Sequence, residues 1–243
     1  MSIATANLME NKTKSITITQ YDYVIRGVND EEFDIQGHPN HYSEFDPDGR
    51  PLKEIRYNRH GEFEEMFAYG YDGQGNLISE KYYPQEDEIA EEKTIVRNEA
   101  GLILKALKHY QDGSVDTITF EYDQEGQLSK KVTTTDEGEV EQVETFEWED
   151  GNLVHHHIFD ENGDLVEELL DSDIRQNQTR VTHNDRGQVI SEEEIDEDGT
   201  VIMTVRRSYN NDGHADEVEV FIDGQGQAIS RHYTLKYEYT FFE

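Results

Sequence analysis

Tyr122-Asp123-Gln124-Glu125-Gly126-Gln127-Leu128 sets an aromatic residue and an aspartate before a polar pair, a glycine and, two places on, a leucine. Asp and Asn favour turns because their side chains bond to nearby backbone groups, and Gly supplies the positive φ that closes such turns. Between runs rich in β-branched and aromatic residues, this grammar reads as a hairpin connection. Tyr71-Asp72-Gly73-Gln74-Gly75-Asn76-Leu77 repeats it. Looser copies stand at Phe45-Asp46-Pro47-Asp48-Gly49, Trp148-Glu149-Asp150-Gly151, Phe159-Asp160-Glu161-Asn162-Gly163, His183-Asn184-Asp185-Arg186-Gly187, Ile195-Asp196-Glu197-Asp198-Gly199 and Tyr209-Asn210-Asn211-Asp212-Gly213.

Working outward, glycines recur at 49, 61, 75, 101, 113, 126, 138, 151, 163, 187, 199, 213 and 226. Most spacings are 12–14 residues, and two are about double. Gln85-Glu86-Asp87-Glu88 fills the first long gap and Asp171 to Asn177 the second, each standing where a turn glycine is replaced. Such a period marks a repeat architecture. The segments between turns alternate in polarity: Val201, Met203, Val205 and Tyr209 share one face, as do Ile118, Phe120 and Tyr122. The predicted fold is all-β: an elongated antiparallel β-meander of 14–17 short strands in ~25-residue double-hairpin repeats, single-layered or gently curled and open. We expect a mobile tail over 1–15, one β-repeat domain over 16–243, an irregular loop near 29–41 and an aromatic capping strand over 232–243.

Composition agrees with a thin core. Of 243 residues, 34% are hydrophobic and 31% charged, with 55 acidic against 21 basic residues and a formal charge of −34. That balance leans towards disorder, but 10% aromatic residues favour folding. Segments such as Ser129-Lys130-Lys131-Val132-Thr133-Thr134 hold one aliphatic residue. Cross-strand pairs and ladder hydrogen bonds must then supply much of the stability. The charge repels phosphate backbones and anionic lipid, so neither nucleic acid nor membrane is expected as a partner. No apolar run nears the ~20 residues that span a bilayer, and the beginning lacks a signal-peptide pattern. The expected location is cytoplasmic, unless export follows a non-classical or contractile route. With no cysteine, thiol chemistry is absent.

The tyrosine–aspartate pair followed by a turn, Gly and Leu resembles the repeat of the RHS/YD-repeat family. Tyr71, Asp72, Gly75 and Leu77 match best, together with Tyr122, Asp123, Gly126 and Leu128. The resemblance covers roughly residues 41–232. It implies a spiralling antiparallel β-strip that serves as an interaction scaffold, and long members of that family enclose toxin segments. A proline–aspartate-rich core element of the kind those members carry is not found.

Candidate chemistry is sparse. Carboxylates are too numerous for a glycosidase pair to be singled out. Asp160-Glu161-Asn162-Gly163-Asp164 begins like a calcium loop, but Leu165 and Asp171 stand where an EF-hand needs Gly and Glu. The acidic turns at Asp46/Asp48, Asp160/Asp164 and Asp196/Asp198 remain weak cation candidates. In His155-His156-His157, alternation puts His155 and His157 on one face of a strand as weak metal candidates without a third ligand. No nucleophile elbow or phosphate loop is found, so no catalytic residue and no cofactor are expected. The aromatic run holds Tyr233, Tyr237, Tyr239 and Phe241 on one face, a terminal cap or a docking strand. The expected function is a non-enzymatic scaffold presenting an acidic β-surface to a protein partner, possibly basic, or to its own copies. The alternatives are an immunity protein or chaperone neutralising a basic toxin, and a carbohydrate-binding sheet.

Overall fold

The computed structural model describes residues 12–25, 33–170, 178–196, 198–223 and 230–243. The predicted turn at Gly226, the second gap at Asp171 to Asn177, and residues 1–11 and 29–32 lie outside them. The chain is all-β and antiparallel, with no helix among the described residues and hence none long and apolar enough to cross a membrane. Among the described residues seventeen strands run β1 (Thr13–Ile25), β2 (Phe33–Phe45), β3 (Pro51–Tyr57), β4 (Phe63–Tyr71), β5 (Leu77–Tyr83), β6 (Glu91–Arg97), β7 (Ile103–Tyr110), β8 (Val115–Tyr122) and β9 (Leu128–Thr134). They continue through β10 (Val140–Glu149), β11 (Asn152–Phe159), β12 (Leu165–Leu170), β13 (Gln178–His183), β14 (Val189–Ile195), β15 (Val201–Tyr209), β16 (Ala215–Ile222) and β17 (Arg231–Phe241).

The predicted hairpins form by the predicted chemistry. Of the thirteen repeat glycines, the twelve within the described residues all have φ between +75° and +90°. In eight turns the Asp or Asn three places before the glycine accepts two backbone N–H bonds with one side-chain oxygen. Asp72 Oδ1 accepts from Gln74 at 2.8 Å and Asn76 at 2.9 Å, while Gly75 N–H donates to the Asp72 carbonyl at 3.0 Å. This is a type I turn closed by a left-handed residue that makes a bulge. Tyr71 and Leu77 then face each other across the register shift the bulge creates, as Tyr122 and Leu128 do in their hairpin. At Gln85 to Glu88 a short bridge replaces the glycine turn, accounting for the first double spacing.

The chain forms two compact units, Met1–Glu64 with Gln176–Glu243, and Glu65–Arg175. In the first, described strands pair in the order β14-β15-β16-β17-β1-β2-β3, with β13 beside β14. Its apolar cluster is Val205, Val218 and Val220, against which Met203, Ile222, Tyr233, Leu235 and Tyr237 pack. In the second, β4 through β12 pair in chain order where register is described, and Met66, Ala106 and Ile118 are its buried apolar residues.

Three boundaries differ from expectation. Thr13–Ser15, placed in the tail, begin β1, because Thr13 and Ser15 pair with Phe241 and Thr240 of β17. Residues 33–41, placed in a loop, belong to β2. There Asn40 is skipped by the register opposite β1, so Pro39 falls at a bulge where its missing N–H is tolerated. Gly37 lies beneath the Tyr21 ring, and a Cβ would sit 2.8 Å from Tyr21 Cε1. Finally, β17 is not a terminal edge: Tyr233 to Lys236 pair with both β16 and β1.

Candidate functional site

Register sorts the three consecutive histidines of β11 onto opposite faces. His156 lies on the face that carries Glu144 and Ile158, which are opposite one another. Glu144 is buried, its carboxylate bonded to the Lys131 ammonium and 3.0 Å from His156 Nε2. The His156 ring stacks on Phe146 at a centroid distance of 4.4 Å. Burial would raise the Glu144 pKa, but the Lys131 hydrogen bond and charge, with His156, outweigh it and hold the carboxyl below its ordinary range. A groove of about 480 Å³ opens on the same face, with Lys93, Lys108, Lys131, Tyr110, Glu91 and Phe159 among its lining. Its lysines already have carboxylate neighbours: Lys108 lies 3.0 Å from Glu91 and Lys93 3.9 Å from Glu80.

The other face carries His155 and His157, as alternation predicts. It also carries what sequence reading could not supply: Glu168 of β12 stands directly opposite His157 and diagonal to His155. Glu168 Oε1 is 3.1 Å from His157 Nε2 and 3.6 Å from His155 Nδ1. The imidazoles are parallel to within 8°, with centroids 5.6 Å apart. Among the described residues this is the one group of His, Cys, Asp and Glu side chains close enough to share a metal ion. The acidic turns are differently occupied. Asp160 Oδ1 accepts the N–H groups of Asn162 and Asp164, each at 2.9 Å, and the Asp164 backbone bond leads in lowering its pKa. That oxygen serves its own turn.

The aromatic residues of β17 divide in two. Tyr233 and Tyr237 pack against the valine cluster, and burial raises both phenol pKa values. Tyr239 is half-buried and donates its hydroxyl to the Ala215 carbonyl at 2.8 Å, whereas Phe241 is 40% exposed. Burial drives the Tyr239 pKa up further than either, with the neighbouring Tyr237 and Asp216 adding to it.

The Tyr239 bond belongs to a recurrent set that composition alone would not disclose. Tyr122 donates its hydroxyl to the Ile103 carbonyl at 2.9 Å, Trp148 its indole N–H to Leu128 at 2.8 Å, and Tyr209 its hydroxyl to Val189 at 2.7 Å. Each acceptor lies two places after a turn glycine, at the start of the preceding strand. The aromatic before one turn therefore secures the carbonyl after the previous turn on the same margin. The pattern could have been found in sequence as a preference for Tyr and Trp, with their polar tips, at that place.

A second missed constellation is a cross-strand stack. Tyr23, His232 and Phe221 lie face to face with centroids 4.1 and 4.0 Å apart, and Arg206 covers Phe221 at 5.3 Å.

No protein-family model matches the sequence, and no curated protein is similar to it. Among solved structures the chain is similar to a porin-like protein from Bacteroides uniformis ATCC 8492, at 11% identity and a TM-score of 0.40, covering 94% of this chain and 98% of that one. A porin-like protein from Bacteroides vulgatus ATCC 8482 is similar at 14% identity and a TM-score of 0.24, covering 95% and 99%.

Proposed function

We propose that this chain is a non-enzymatic interaction scaffold whose acidic β-surface receives a basic protein partner. One observation carries the reading: ten of the 21 basic residues already have a carboxylate of the same chain beside them. Lys81, Lys93, Lys108, Lys130, Lys131, Lys236, Arg50, Arg180, Arg206 and Arg207 each lie within 4 Å of a carboxylate. The excess of 55 acidic over 21 basic residues then has no internal counter-charge to meet it. Such a surface accelerates encounter with a cationic partner and rejects anionic ones.

The test is titration of the full chain with a small folded basic protein, and with a neutral one of similar size, over rising sodium chloride. Association with the basic protein should be measurable at low ionic strength and weaken steadily as screening grows. No association at low salt, equal association with the neutral protein, or indifference to salt would each refute the reading.

A further inference from the structure

We propose that His155, His157 and Glu168 form a binding site for one divalent transition-metal ion of the zinc class. The site is distinct from the acidic surface proposed above and independent of it. The three ligand atoms lie within 4.8 Å of one another, and the two nitrogens approach the same carboxylate oxygen at 3.1 and 3.6 Å. Tetrahedral zinc holds N and O ligands at about 2.0–2.2 Å, which sets ligand atoms roughly 3.4 Å apart. The arrangement is therefore already on the scale an ion requires.

Three further observations favour an ion over a plain ion pair. His155 Nδ1 is shielded from solvent and has no hydrogen-bond partner among the described residues, so an ion would displace no hydrogen bond there. The parallel imidazoles are held by strand alternation rather than by a loop, so binding requires little ordering. Glu147 of β10 faces His155 across the ladder on the same side, a register position from which another oxygen can approach. Two imidazoles with one carboxylate form a borderline donor set that suits Zn²⁺, Ni²⁺ or Cu²⁺. Calcium and magnesium favour oxygen ligands, whereas two of the three donors here are imidazole nitrogens. Three protein ligands leave a tetrahedral position open for water or for a group from another molecule.

Isothermal titration of the full chain with Zn²⁺, in excess Ca²⁺ to occupy weak carboxylate sites, tests the assignment. One tight equivalent per chain is expected. His155→Ala, His157→Ala and Glu168→Gln should each weaken it by at least the roughly 10–100-fold that loss of an outer-shell partner costs. His183→Asn, which removes an exposed imidazole of β13, should leave it unchanged. Far-UV circular dichroism checks that each variant is folded. Should one not be, Co²⁺ titration of the unaltered chain decides, through the intense visible absorption of a tetrahedral site. Absence of a tight class, its survival in the His155→Ala/His157→Ala double variant, equal loss in His183→Asn, or a Co²⁺ spectrum of octahedral intensity would overturn the proposal.

Discussion

Strands β15 and β16 are joined through Gly213 at positive φ, as β9–β11 are through Gly138 and Gly151, yet the buried faces of β15–β17 and β9–β11 are held by opposite means. In β15–β17, Val205, Val218 and Val220 are buried and a Met, an Ile, a Leu and two Tyr pack around them. In β9–β11 the corresponding face centres on Glu144, buried between Lys131 and His156. The local turn chemistry is thus independent of what fills the face between turns. That independence allows a chain with few hydrophobic residues to use glycine-closed hairpins at most of its described turns.

The sharpest way to break the contrast is to remove the valines. Val218→Ala combined with Val220→Ala should cost about 3–4 kcal/mol, counting about 0.8 kcal/mol per buried methylene plus a cavity contribution. Urea unfolding should show the loss undiminished at high salt. A cost below ~1 kcal/mol would mean the cluster is not what stabilises that unit.

The turns should respond by local space rather than by unit. Gly61→Ala should cost about 3 kcal/mol, because left-handed strain at φ +75° is joined by a Cβ only 2.9 Å from Pro39 Cδ. Gly126→Ala, at φ +81° with open space around it, should cost only the strain, about 1–2 kcal/mol. Equal midpoint shifts in thermal denaturation would contradict this.

Lys131→Met should cost about 2 kcal/mol by stranding the Glu144 carboxylate, less than for a fully buried pair because Lys131 is partly exposed. Adding Glu144→Leu should recover most of it. A further loss in the double variant would show the pair to be a net source of stability.

Acidity sharpens the same point. The Glu144 carboxyl is depressed in the folded chain, so its contribution is complete above the unfolded value of about 4.3 and lost as pH falls through the lower folded value. The penalty of Glu144→Gln, measured against the unaltered chain, should be full near neutrality and shrink below about pH 4.3. Comparison with the unaltered chain cancels the relief of self-repulsion that acid brings to a chain of −34.

The smallest effect should be common to both units. Tyr122→Phe and Tyr209→Phe each remove one hydroxyl-to-carbonyl bond and should cost about 1 kcal/mol. A cost confined to one unit would mean these bonds are not a shared part of the repeat.

What could be read in sequence was whatever a handful of neighbouring residues decide. Asp72, Gly75 and Leu77 specify their hairpin within seven positions, so the turns and strand number were legible. Residues 33–41 were misread because Gly37, Pro39 and Asn40 look like loop residues. Their place in a strand depends on β1, where Tyr21 covers Gly37 and Gln20 accepts a bond from Asn40 at 2.9 Å. The metal trio was half legible. Alternation pairs His155 with His157, but Glu168 enters only through the register of the next hairpin, which a bulge shifts between Ile158 and Phe159. The Tyr23, His232 and Phe221 stack depends on partners far along the chain and left no local mark.

The pairing of β1 with β17 also sets an order of events on the ribosome. Ser15 Oγ lies 2.7 Å from Thr240 Oγ1, a partner synthesised 225 residues later. At ordinary elongation rates that interval is roughly 10–45 s. One side of the first strand must wait through it, while the unit formed by Glu65–Arg175 has all its residues polymerised before the C-terminal strands begin. Nascent chains arrested before β17 would therefore leave β1 with an unsatisfied strand edge, the kind of surface on which chaperones and stray β-segments compete.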